Sequence, residues 1–224
     1  MSIRLICSDI DGTLLQYGKK ELEGEIFDQI RALHQRGIWF CPASGRQYTS
    51  LRKLFAPVAD CCVFICENGG TIFKEEQCIA KNPMPRALAE EIANDMWTRS
   101  EGQGEVMLSG QNTAYLMERG LGMLQRVQFV GNRLPDHSQP RRGAGGHHQG
   151  VGVPARGRGK LCGALCAPLE AGQLRRGGPF WTRYRPLPTR AVGVQVRVRA
   201  ILGIDPAQVM AFGDTTTTRP CWTW

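Results

Sequence analysis

Asp9 and Asp11 stand two residues apart, followed by Gly12, directly behind the apolar run Ile3 to Cys7. An extended chain has a side-chain period of two, so two carboxylates at that spacing leave a strand on the same side. Gly12 lets the backbone turn sharply behind them. Carboxylates so placed suit phosphoryl transfer, one attacking phosphorus while the other handles the leaving-group proton. The same residues also read as a solvated Asp-x-Asp-Gly turn or a fragment of a calcium loop, since Asp and Gly are common in turns.

Three further apolar runs end in a comparable way. Ile38 to Ala43 leads into Ser44-Gly45-Arg46, a tip that can hold a phosphate by one hydroxyl and the surrounding backbone N–H groups. Cys61 to Cys66 leads into Glu67-Asn68-Gly69-Gly70, and Val209 to Phe212 into Gly213-Asp214. Four strands ending in Asp, Ser or Asn beside glycine are what ligand binding at the carboxyl edge of a parallel sheet requires. Helices must cover such a sheet. Glu21 to Arg36 sets Leu22, Ile26, Ile30 and Leu33 on one face with Gly37 as a stop, and Tyr48 to Phe55 suits a second, short helix. Thr71 to Phe73 and Gln77 to Ala80 predict a hairpin. Arg86 to Trp97 predicts a helix through Leu88, Ile92 and Met96, and Glu105 to Leu108 and Ala114 to Met117 predict strands. Val194, Val196 and Val198 alternate with polar residues, which reads as a strand.

With Asp9-Ile10-Asp11-Gly12-Thr13-Leu14-Leu15, Ala43-Ser44-Gly45-Arg46, Glu67-Asn68-Gly69-Gly70 and Met210-Ala211-Phe212-Gly213-Asp214, the chain resembles the haloacid dehalogenase-like (HAD) hydrolases. Within them it is similar to the Cof-like sugar phosphatases, over Met1 to about Arg133 and again from about Gly193 to Asp214. The resemblance implies an α/β fold, a Rossmann-like parallel-sheet core of residues 1–82 and 191–224, with a helix where Val194 to Val198 read locally as a strand, and an inserted α+β cap at 83–190 that its composition leaves partly disordered. It implies a magnesium-dependent phosphatase of small phosphorylated metabolites of the sugar-phosphate kind. By the same likeness Asp9 is the nucleophile that becomes an aspartyl-phosphate, Asp11 the acid and base, and Ser44 the hydroxyl on the transferring oxygens. Gly12, Thr13 and Gly45 fall to substrate binding, and Arg46 and Asn68 to substrate binding or loop contacts. Mg2+ falls to Asp9, the main-chain carbonyl of Asp11, and Asp214. Two charged groups of the family are missing. Thr189-Arg190 stand where a lysine is expected, and a threonine replaces the second carboxylate after Asp214. Electrostatic stabilisation is the main protein contribution to such chemistry, so the resemblance predicts an impaired enzyme.

Composition narrows the setting. The chain of 224 residues is long enough for a core with an inserted cap. No apolar run reaches the roughly 18 residues of a membrane span. Met1-Ser2-Ile3-Arg4 opens a strand, not a signal peptide, so a cytoplasmic protein without a membrane partner is expected. Nine cysteines follow no regular framework, and Cys7, Cys61, Cys62 and Cys66 read as reduced packing residues. Cys162 and Cys166 with His147 and His148 fit no standard zinc spacing. The net charge of +8 sits in one stretch: Leu134 to Arg190 holds ten basic residues against two acidic ones, and the rest is balanced at eighteen each. That stretch is rich in Gly and Pro without a sustained period, which predicts poor order. Its Arg-Gly tracts open a competing reading, a nucleic-acid-binding segment on an inactive HAD-like domain. They lack the regular aromatic interleaving of a stacking platform, so only non-specific nucleic-acid binding is expected.

A change of reading frame accounts for the stretch more simply. Thr215 to Thr218 require four ACn codons, and the frame that puts A and C at second and third positions allows only Asn, Tyr, Asp or His. Carried on, that frame forces Trp222 to Leu and Thr223 to Asp. One allowed reading after Gly213-Asp214 is NYNDAAMLDL, which meets the family's Gly-Asp-Asn-x-Asn-Asp motif. With freer codon choice, Pro135 to Lys160 yields a helix followed by an alternating strand. The C-terminal half therefore reads as an enzyme gene altered by small insertions or deletions, in the genome or in its sequence.

Overall fold

The computed structural model describes residues 2–16, 18–81, 83, 85–99, 104–109, 113–116, 149–154, 172–176, 182–186 and 198–213. The chain forms two compact units, Met1–Asn82 with Thr189–Trp224, and Pro83–Pro188.

The first unit is built on strands β1 (Leu5–Asp9), β2 (Trp39–Ala43), β3 (Val63–Cys66), β4 (Thr71–Lys74), β5 (Gln77–Lys81) and, late in the chain, β11 (Val209–Phe212). They lie in the order β11-β1-β2-β3-β4-β5. The first four in that order are parallel, and β4 and β5 continue antiparallel. A parallel sheet is covered on both faces, so its strands are apolar throughout instead of alternating. Accordingly Phe40, Phe64 and Cys66 pack on one face with Ile30, Leu51 and Phe55, while Leu5, Cys7, Cys41, Val63 and Ile65 pack on the other with Val198, Ile204 and Val209. Pro42 has no N–H to donate, and the β2–β3 pairing is sparse there, limited to Phe40 with Cys62 and Ala43 with Ile65.

Helices α1 (Gly24–Gln35) and α2 (Tyr48–Leu54) supply the first cover. Gly37 ends α1 at φ 76°. Its N–H donates to the His34 carbonyl at 2.9 Å, and Ile38 N–H donates to Leu33 at 3.1 Å, the paired closure of a left-handed helix stop. At the start of α2, Tyr48 stacks on Phe73 with ring centres 3.9 Å apart, which fixes the helix entry against β4. The second cover includes a helical segment at 198–202. The strand expected through Val198 is therefore corrected: Val198 and Leu202, four apart, both turn to the sheet, a helical spacing that the short alternation concealed. Val194 and Val196 lie outside the described residues.

The second unit contains α3 (Arg86–Arg99) and strands β6 (Gly104–Ser109), β7 (Ala114–Leu116), β8 (Gln149–Pro154), β9 (Gly172–Arg176) and β10 (Thr182–Pro186). The sheet is antiparallel, in the order β7-β6-β8-β10-β9. Helix α3 buries Ala89, Ile92 and Ala93 and packs on β6 and β8. Three of these strands fall inside the basic stretch, where the sequence predicts poor order. Backbone ladders supply the pairing there without a sustained apolar period along the stretch: β8 pairs with β6 from Gly104↔Pro154 to Ser109↔Gln149. The rest of that stretch lies outside the described residues. Among the described residues no helix is long and apolar enough to cross a membrane.

Candidate active site

The carboxyl ends of β1, β2 and β3 meet at one edge of the sheet, with Asp9 opposite Ala43 and Ala43 opposite Ile65. Behind Asp9, the fully buried Ile10 anchors a tight loop. Its carbonyl accepts from Leu15 N–H at 2.8 Å and Thr13 N–H at 3.2 Å, and Gly12 N–H donates to Leu15 at 2.9 Å. Gly12 takes φ 93°, a conformation that costs a Cβ-bearing residue strain. The Thr13 hydroxyl is buried with no hydrogen-bond partner, a group that a bound anion or water would satisfy. Asp9 and Asp11 are both half-buried.

The loop after β2 reaches Asp11. The Ser44 hydroxyl lies 3.4 Å from Asp11 Oδ2, Arg46 Nε donates to the same oxygen at 3.1 Å, and Arg46 Nη2 donates to Oδ1 at 2.5 Å. Ser44 itself is buried, and its oxygen accepts from the Arg46 N–H at 3.2 Å. The turn after β3 braces this loop from below, with Asn68 N–H donating to the Ser44 carbonyl and Glu67 N–H to the Arg46 carbonyl, each at 3.0 Å. To do so, Glu67, Asn68 and Gly69 take φ values of 55°, 54° and 95°. Left-handed non-glycine residues carry strain and cluster at functional sites.

The structure thus brings Asp11, Ser44 and Arg46 together, with Asn68 touching Ser44 through its backbone and Gly45 between the two contacting residues. Asp214 lies outside the described residues, though β11 runs toward Asp9's end of the sheet, with Phe212 opposite Ser8. Asp9 and the main-chain carbonyl of Asp11 are hard oxygen donors of the kind a small divalent cation takes. Among the described residues no three His, Cys, Asp or Glu side chains are grouped to hold a metal. Cys162, Cys166, His147 and His148 are also outside the described residues. Two buried polar residues of the site were given no role by sequence reasoning, Gln47 at the entry of α2 and Glu67. The signal for Glu67 was present, an acid at the end of an entirely apolar strand. Burial, and then the Glu67 charge, push the neighbouring Cys66 thiol well up, and burial does the same for Cys41. These thiols are protonated packing groups, not nucleophiles.

Comparison with known proteins identifies the lineage. The sequence model of the haloacid dehalogenase-like hydrolases matches residues 6–142, well over half of the chain. The chain belongs to this family. Escherichia coli 5-amino-6-(5-phospho-D-ribitylamino)uracil phosphatase YbjI is 31% identical over 119 residues, 53% of this chain and 43% of that protein. The chain spans less than half the length of the curated relatives it matches. A HAD-like hydrolase of Bacteroides thetaiotaomicron shares the fold at a TM-score of 0.80, with 17% identity, over 98% of this chain and 85% of the other. The HAD subclass IIB sugar phosphatase BT4131 shares it at 0.72, with 16% identity, over 96% and 82%.

Proposed function

We propose that the chain is built to hydrolyse phosphate monoesters of small metabolites, sugar-phosphate-like, with Mg2+ and through an aspartyl-phosphate on Asp9. One observation carries the reading: beside Asp9, at the carboxyl edge of a parallel sheet, the Asp11 carboxylate, the buried Ser44 hydroxyl and the Arg46 guanidinium converge. Asp9 attacks phosphorus, and Asp11, entering the step with a proton on its carboxyl, gives that proton to the leaving ester oxygen and becomes the carboxylate. Asp11 then takes a proton from the water that attacks the aspartyl-phosphate, releasing phosphate and restoring Asp9. Ser44, with backbone N–H groups of Gly12, Thr13 and Gly45, holds the transferring oxygens, and Asn68 braces Ser44. Asp9, the Asp11 carbonyl and Asp214 would hold Mg2+, which when bound screens charge between nucleophile and phosphate. The E. coli relative acts on a phosphorylated ribityl compound and BT4131 on sugar phosphates, which supports a polyol or sugar phosphate as the substrate class.

The same reading makes the chain an impaired enzyme, because Thr189-Arg190 replace the lysine and threonine replaces the second carboxylate after Asp214. Loss of one charge-stabilising group typically costs about 100- to 1000-fold in rate. The test is a steady-state assay of three proteins with small phosphate esters and Mg2+. This chain should turn over little. A chain with Lys-Gly restored at 189–190 and Asn-Tyr-Asn-Asp restored in frame after Asp214 should turn over substantially, and its Asp9→Asn variant not at all. An inactive restored chain contradicts the reading.

A further inference from the structure

Arg46 spends its guanidinium on Asp11. The two prongs, 3.1 Å to Oδ2 and 2.5 Å to Oδ1, engage both carboxylate oxygens at once. A fork of this kind fixes the carboxylate's rotation, which a single point charge does not. The Ser44 hydroxyl joins at Oδ2 and accepts in turn from the Arg46 N–H, so Asp11, Arg46 and Ser44 form a closed ring across two loops. The Arg46 side chain is 16% exposed and that of Asp11 45%, so the arginine is walled in while the carboxylate reaches toward solvent. The Arg46 carbonyl is held by Glu67 N–H of the left-handed turn, which makes the base of the arginine rigid. A walled-in cation gripping a half-buried acid is placed to orient the acid. We propose that Arg46 is a positioning residue that aims Asp11 for proton transfer, and not a substrate-binding residue. The inference rests on the phosphatase reading, since it assigns Asp11 a proton to move.

Two measurements test it, the first on the full chain and the second on the restored chain with Lys-Gly at 189–190 and Asn-Tyr-Asn-Asp after Asp214. In the first, arginine side chains are 15N-labelled and Arg46→Ala assigns the Arg46 Nε–H signal. That signal should exchange with water at least about tenfold faster in Asp11→Asn than in the parent, because the fork is lost. A signal indifferent to Asp11→Asn overturns the proposal. The second measurement compares an alkyl phosphate, whose leaving oxygen needs a proton, with p-nitrophenyl phosphate, whose leaving group does not. Arg46→Ala should lower kcat for the alkyl ester by about 10- to 100-fold more than for the aryl ester. KM should stay close to the parent's, Arg46→Lys should restore part of the loss, and Arg46→Ala should add nothing in an Asp11→Asn background. A rise in KM for both esters would make Arg46 a substrate contact, and an equal fall in kcat for both would make it structural; either overturns the proposal. Absence of turnover in the restored chain contradicts the phosphatase reading, and the exchange measurement then decides the Arg46 grip on Asp11 by itself.

Discussion

Glu67 and Asn68, at φ 55° and 54°, hold the backbone that braces Ser44 and Arg46. Asn tolerates this conformation better than most residues and Gly best of all. Asn68→Gly should therefore leave the melting temperature close to the parent's, whereas Asn68→Val should destabilise by about 1–2 kcal/mol. Thermal unfolding of the two variants checks this. The buried thiols give a second prediction at this scale. Burial raises Cys41, Cys62 and Cys66 in the folded chain, so above the ordinary thiol value of about 8.5 the unfolded state loses protons that the folded state keeps. Stability should be complete below that pH and fall as pH rises through it, toward the raised folded values. Urea midpoints measured from pH 7 to 10 check the sign, and a flat profile would contradict it. At the level of single residues, the Asp9 and Asp11 pair was legible because both lie in one short motif. The partner of Asp11 was not, since Arg46 lies 35 positions away and nothing local records a side-chain grip.

At the scale of elements, the core was legible wherever an apolar run was bounded by turn chemistry. Strands β1 to β5 and helices α1 to α3 fall where runs, helical periods and glycine stops place them. The period failed where tertiary pairing did the selecting. Strands β8, β9 and β10 are held by neighbouring backbones in a Gly- and Arg-rich stretch, and the helix at 198–202 by the sheet face it covers. Two glycines at the ends of α1 separate local from tertiary effects. A Cβ at either Gly24 or Gly37 meets nothing within 4 Å, but only Gly37 has positive φ. Gly37→Ala should therefore cost about 1–2 kcal/mol through conformation alone. Gly24→Ala should be neutral or stabilise by about 0.4–1 kcal/mol. Denaturant unfolding of both variants reads the difference, and equal costs would remove the helix-stop argument.

At the scale of the whole molecule, charge and chemistry are separated along the chain. The surplus of +8 lies within 134–190, while Asp9, Asp11, Ser44 and Arg46 belong to the first unit. Ten clustered basic residues should bind any polyanion weakly, without sequence preference, and lose that affinity steeply between low and physiological salt as counterion release requires. Filter binding of unrelated RNAs across a salt series checks this; selective binding that survives physiological salt would contradict it. The proposed function rests instead on one carboxylate, Asp9, becoming phosphorylated. The most direct measurement is to quench the restored chain during turnover of a small phosphate ester, reduce with borohydride and map the modified residue by mass spectrometry. Homoserine at position 9, absent from the unreacted protein and from Asp9→Asn, is the result expected. Turnover with position 9 unmodified, or with the label on another residue, would contradict an aspartyl-phosphate route through Asp9.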